Sequence, residues 1–148
     1  MKKFFTTLLV LMLFTTSFTP SKAYSADTEI PLTNSIMNLK MTERRLWIDH
    51  VSWTRSFIIS DLASIPDKDV VLQRLLKNQD DIGSSIKSYY GEEAGNKLSK
   101  LLRDHILLAG QVVDAAKSNN KTNLDKYNKL WHKNADDIAD FLSSANPN

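Results

Sequence analysis

The sequence predicts an all-α protein: an antiparallel, up-down-up-down four-helix bundle assembled from two copies of one helical hairpin. Three observations carry this reading. Only four prolines occur, and none lies between Pro66 and Pro147, so a long central stretch is free of helix breakers. Apolar residues return at helical spacing in four successive segments. The third is an internal repeat. Leu46-Trp47-Ile48-Asp49-His50-Val51 aligns with Leu101-Leu102-Arg103-Asp104-His105-Ile106, and Asn78-Gln79-Asp80-Asp81-Ile82 aligns with Asn134-Ala135-Asp136-Asp137-Ile138, at offsets of 55 and 56 residues.

The N-terminus comes first. Lys2 and Lys3 precede an apolar run over residues 4–18, too short to span a bilayer comfortably, and a polar stretch containing Pro20 follows. Residues 1–25 read as a signal peptide, cut after Ala23 or Ser25, where small residues occupy both recognition positions. An uncleaved anchor is the competing reading, and it is the one membrane contact the sequence suggests. The chain has no cysteine, so neither lipid attachment at a cleavage-site cysteine nor a disulfide is available. Residues 26–41 read as a flexible leader, and 42–148 as the bundle.

Cleavage changes the charge. Without Lys2, Lys3 and Lys22 the 19 Lys+Arg fall to 16 against 17 Asp+Glu, a net −1 in place of +2. The basic character belongs to the targeting segment and gives no support to a nucleic-acid partner.

The first helix is expected over 42–65, with Trp47, Val51, Thr54, Ile58, Asp61 and Ile65 inward. Asp67 caps the second, over 67–89, with Val71, Leu72, Leu75, Leu76, Ile82 and Ile86 inward. Gly91 breaks the chain. The third helix, over 92–117, turns Leu98, Leu101, Leu102, Ala109, Val112, Val113 and Ala116 inward. Thr122 caps the fourth, which runs to about residue 143 with Leu124, Tyr127, Trp131, Ala135, Ile138, Phe141 and Leu142 inward. Short connections between helices of similar length favour antiparallel neighbours.

The repeat gathers polar residues at one level. At ~100° per residue, His50 and His105 flank the apolar stripes, and Asn78, Asp81, Asn134 and Asp137 lie on matching sides of their helices. These six are the candidate site. As a hydrogen-bond layer, each imidazole pairs with an Asp or Asn and fixes helix register. As a metal centre, His50, Asp81, His105 and Asp137 supply two imidazoles and two carboxylates, a set suited to zinc, manganese or iron. The di-iron pattern is broken, because no Glu-x-x-His occurs. A small organic ligand in the same polar pocket is the third possibility. Glu43 and Asp61 fall at helix ends and are expected to be half-exposed.

Other chemistry is missing. The sequence has no nucleophile elbow, no phosphate-binding glycine loop and no His-Glu-x-x-His.

The stretches Leu46-Trp-Ile-Asp-His-Val-Ser-Trp-Thr-Arg55, Asn78-Gln-Asp-Asp-Ile-Gly83, Tyr89-Tyr-Gly-Glu-Glu-Ala94 and Trp131-His-Lys-Asn-Ala-Asp-Asp-Ile138 resemble a family of small helical proteins from spore-forming Gram-positive bacteria. The resemblance covers nearly all of the chain after the signal. It implies the bundle and a secreted or cell-wall location, and it implies no activity. Three functions stay open: a non-enzymatic exported bundle binding a metal or small ligand, an envelope interaction protein with a structural polar layer, and a small metal-dependent enzyme.

Overall fold

The computed structural model describes residues 33–145. The signal segment, both cleavage sites and the first part of the leader lie outside the described residues. Within them the chain is all helical: α1 (Asn34–Leu62), α2 (Lys68–Ser85), α3 (Lys87–Lys117) and α4 (Lys121–Ala145).

α1 starts well before residue 42. The Thr33 hydroxyl accepts from the Ile36 amide at 3.2 Å and caps the helix, and the apolar residues Ile36, Met37 and Leu39 lengthen it. The second half of the expected leader is therefore helix. Two helices end alike. Ser64 and Asn119 take left-handed φ values of 55° and 53°. Behind them the Ile65 amide reaches the Ser60 carbonyl at 2.8 Å, and the Asn120 amide reaches the Ala115 carbonyl at 2.9 Å. Each closes the exposed carbonyls of a final turn.

The caps of α2 and α4 differ from expectation. Asp67 precedes α2 but makes no side-chain capping bond. α4 is capped by the Asn120 side chain, which accepts from the Asn123 amide at 3.0 Å, and Thr122 already lies inside the helix. α2 ends at Ser85, and Gly91 interrupts the segment after it at φ 88°, ψ 165°, a conformation that only glycine adopts without strain.

Contacts between α1 and α2, and between α3 and α4, run in opposite directions along the chain. Glu43, His50 and Asp61 of α1 meet Ser85, Gln79 and Lys68 of α2. Lys97 and His105 of α3 meet Phe141 and Asn134 of α4. α1 also touches α3, whereas α1 and α4 do not pair. The seam between them is open.

The buried row of α1 is Leu46, Phe57, Ser60 and Asp61. Val51 is 66% exposed, and Ile58 and Ile65 are exposed as well, although all three belong to the row expected to be inward. On α4, Phe141 is buried, but Ala135 and Leu142 are exposed. Two apolar clusters form the core. One joins Leu46, Ile82, Leu98, Leu102 and Phe141; the other joins Phe57, Leu75 and Ile106.

α2 and α3 approach closely at Gly83 and Gly95. A Cβ on Gly95 would lie 2.6 Å from the Gly83 carbonyl oxygen, and one on Gly83 would meet the Gly95 carbonyl and Ser99. At the opposite end, Asp61 is 1% exposed and pairs with Lys68 at 2.7 Å. The bond to Asp61, reinforced by Asp114, raises the Lys68 ammonium above its ordinary pKa against the opposing effect of burial. Lys117 donates to the Asp61 carbonyl and to Ser64 at the end of α1, where a cation is favoured by the helix dipole.

Candidate functional site

The polar layer sits midway along the helices. Asn78 and Gln79 of α2 are both 0% exposed. The Asn78 side-chain amide donates to the Leu46 carbonyl at 3.0 Å, and the Asn134 amide donates to the Leu101 carbonyl at 3.2 Å. Each asparagine thus inserts into the main chain of the preceding helix.

The histidines complete the layer differently. His105 Nδ1 lies 2.8 Å from Asn134 Oδ1. An amide oxygen can only accept, so His105 carries a proton on Nδ1. His50 Nδ1 lies 3.1 Å from Gln79 Nε2. With the amide in this orientation His50 accepts there, and its neutral ring carries the proton on Nε2. Gln79 Nε2 also faces the Leu75 carbonyl at 2.9 Å and Asn78 Oδ1 at 3.1 Å. Burial lowers the His50 pKa, the Gln79 bond opposes this, and the nearby His105 ring adds to it. Both rings lean on indoles: His50 on Trp47 and His105 on Trp131, each with centroids 5.2 Å apart.

Of the six expected residues, His105 and Asn134 meet directly, while His50 and Asn78 are joined only through Gln79. The aspartates do not join them. Asp81 binds Lys77, and Asp137 binds Lys133 at 2.8 Å, both one turn back on the same helix. The Asp137 carboxylate raises the Lys133 pKa, through the hydrogen bond first and its charge second. Asp81 lies about 120° around α2 from Leu75, outside the buried line. A lysine at i−4 keeps each carboxylate at the surface, where it avoids the cost of desolvation.

The expected metal set of His50, Asp81, His105 and Asp137 is therefore not assembled. Among the described residues no group of three or more His, Cys, Asp or Glu side chains could hold a metal ion. The donor set does not fit zinc, manganese or iron.

A second feature lies beside the layer. Between the first half of α1 and the last half of α4 opens a cleft of about 350 Å³. Its floor is Ile82, Ile86, Leu98 and Leu102, and its walls are Leu39 and Trp47 on one side and Ile138, Phe141, Leu142 and Ala145 on the other. Tyr90 and Glu43 also line it. Glu43 is already engaged, accepting from the Trp47 indole at 3.1 Å and from the Ser85 hydroxyl. Trp47, expected in the core, is 43% exposed at this cleft. Its ring links the cleft to His50.

Sequence reasoning missed one participant of the layer and misjudged one buried residue outside it. Gln79 had a usable signal, since it stands four residues after Leu75 on the buried line of α2. Asp61 was expected at a half-exposed helix end, and the Lys68 partner that permits its burial comes from beyond the turn.

No protein-family model, curated protein or solved structure matches this chain.

Proposed function

We propose that this chain is an exported, non-enzymatic binding protein that takes an apolar small molecule into the cleft between α1 and α4. The cleft carries the reading. Its volume falls in the range of ligand sites, its lining is almost wholly apolar, and its one carboxylate is occupied by protein donors. An apolar cavity of this size favours a ligand whose burial removes hydrocarbon from water.

The scaffold in this reading is an up-down-up-down bundle of two duplicated hairpins, left open along one seam. The matching asparagine bonds to Leu46 and Leu101 and the matching helix ends at Ser64 and Asn119 support the duplication. The polar layer holds each hairpin in register. The Lys2-Lys3 start and the apolar run at 4–18 support export to the outside of the cell or the wall zone of a Gram-positive bacterium.

A neutral fluorescent probe, N-phenyl-1-naphthylamine, tests this. Wild type is expected to bind it at one saturable site and release it to 1-decanol. Ile138→Arg, on the cleft wall, should weaken binding at least tenfold while circular dichroism stays helical. Unchanged binding by that variant contradicts the reading.

A second reading, an interaction protein of the cell envelope, is favoured by one observation: α1 is apolar on the face turned away from the core as well.

A further inference from the structure

Leu46 and Phe57 mark the core-facing side of α1. About 180° around the helix lies a second apolar row, in which Met41, Ile48, Val51, Ile59 and Leu62 are all exposed. From residue 41 to 62 this row runs for about 32 Å.

The charges on that row have one sign. Lys40, Arg44, Arg45 and Arg55 form no ion pair among the described residues. The acids of α1 are turned elsewhere: Glu43 to Trp47 and Ser85, Asp49 toward Arg74 of α2, and Asp61 to Lys68. The outer face thus joins exposed hydrocarbon to unanswered positive charge.

We propose that this face docks on an anionic phospholipid surface, its apolar row entering the headgroup boundary and its four cations pairing with lipid phosphates. Charge and shape both favour this occupant. A second copy docked through the same face would bring the same cations, with the acids of its α1 turned elsewhere. A partner helix needs a groove, and the depression around Val51 and Arg55 is lined by α1 alone. A single convex ridge suits a planar surface. No helix among the described residues is long and apolar enough to cross a membrane, so α1 lies on the surface in this proposal. The inference gives the second reading its partner and does not depend on the cleft.

The absence of native cysteine allows a local test in the full chain. Val51→Cys and, on the outer side of α4, Asp136→Cys are each labelled with nitrobenzoxadiazole. They are then mixed with vesicles of phosphatidylcholine, alone or with an equal part of phosphatidylglycerol. The label at 51 is expected to brighten and shift to the blue with phosphatidylglycerol only, and the label at 136 to stay unchanged. Adding Arg44→Gln and Arg55→Gln should weaken the response at 51 roughly 30-fold. Equal responses at both positions, or an equal response to phosphatidylcholine alone, overturn the proposal. A shift at 51 on concentrating the protein without vesicles identifies a second copy, which overturns the lipid partner and leaves the interaction reading standing. No shift at 51 under any of these conditions overturns the proposal.

Discussion

The Asn78 side chain donates to the main-chain carbonyl of Leu46 at 3.0 Å, across the interface of α1 and α2 and out of reach of solvent. That carbonyl lies inside a helix, so the asparagine takes up its second lone pair and ties two helices at a fixed register. Asn134 and Leu101 make the corresponding tie between α3 and α4.

Removing the tie should be costly. Asn78→Ala breaks the bond to Leu46 and takes an acceptor from Gln79, and is expected to destabilise the fold by about 1–3 kcal/mol. Asn134→Ala, at a slightly less buried position, should cost the same or less. Urea unfolding monitored by circular dichroism measures both.

The layer should ignore metals. Thermal midpoints of wild type, His50→Ala and His105→Ala are expected to be the same in chelator as in added zinc or manganese. The variants should lie lower by an amount that metal does not change. A wild-type midpoint that rises with zinc only when both histidines are present would show a ligand set that the aspartate positions argue against.

Acid should weaken the fold through His50. Burial holds its folded pKa below the ordinary value of 6.5. As pH falls below that value the unfolded chain takes up the proton first, so this contribution to stability is complete above it and declines toward the folded pKa. His50 faces the Gln79 amide, the Trp47 ring and, from α3, the His105 ring. The midpoint of wild type is expected to drop between about pH 7 and pH 5. His50→Leu should flatten that slope. An identical slope in the variant assigns the effect to other groups.

The close approach of α2 and α3 makes a steric prediction. Gly83→Ala places a methyl group against the main chain around Gly95 and should destabilise by roughly 1–3 kcal/mol or more. Gly91→Ala meets open space, but its φ of 88° is strained for any residue with a Cβ, at about 1–3 kcal/mol. Differential scanning calorimetry separates these from Ser88→Ala, an exposed control.

Periodicity made the four helices legible, and the His105–Asn134 pairing could be read from the motif, whereas His50 pairs with Gln79 instead of an asparagine. The legible features depend on local spacing along one helix. The aspartates could not be read, because a helical wheel cannot decide between the edge of a buried stripe and a lysine one turn away. Lys77 and Lys133 settled that choice for Asp81 and Asp137. The cleft was not visible either. Trp47 is apolar enough to be buried, and the absence of an α1–α4 pairing leaves it exposed at the cleft. That is a tertiary outcome without a local signature. The early start of α1 had one local sign that went unused, since Thr33 is a good capping residue.

Methyl-group NMR with 1-decanol as the titrant tests the binding cleft most directly. The account predicts saturable shifts centred on the methyl groups of Leu98, Leu102 and Ile138, with smaller changes at Val51 and Ile59 on the outer face of α1. Shifts confined to Val51 and Ile59, or none at any concentration below the solubility limit, would contradict it.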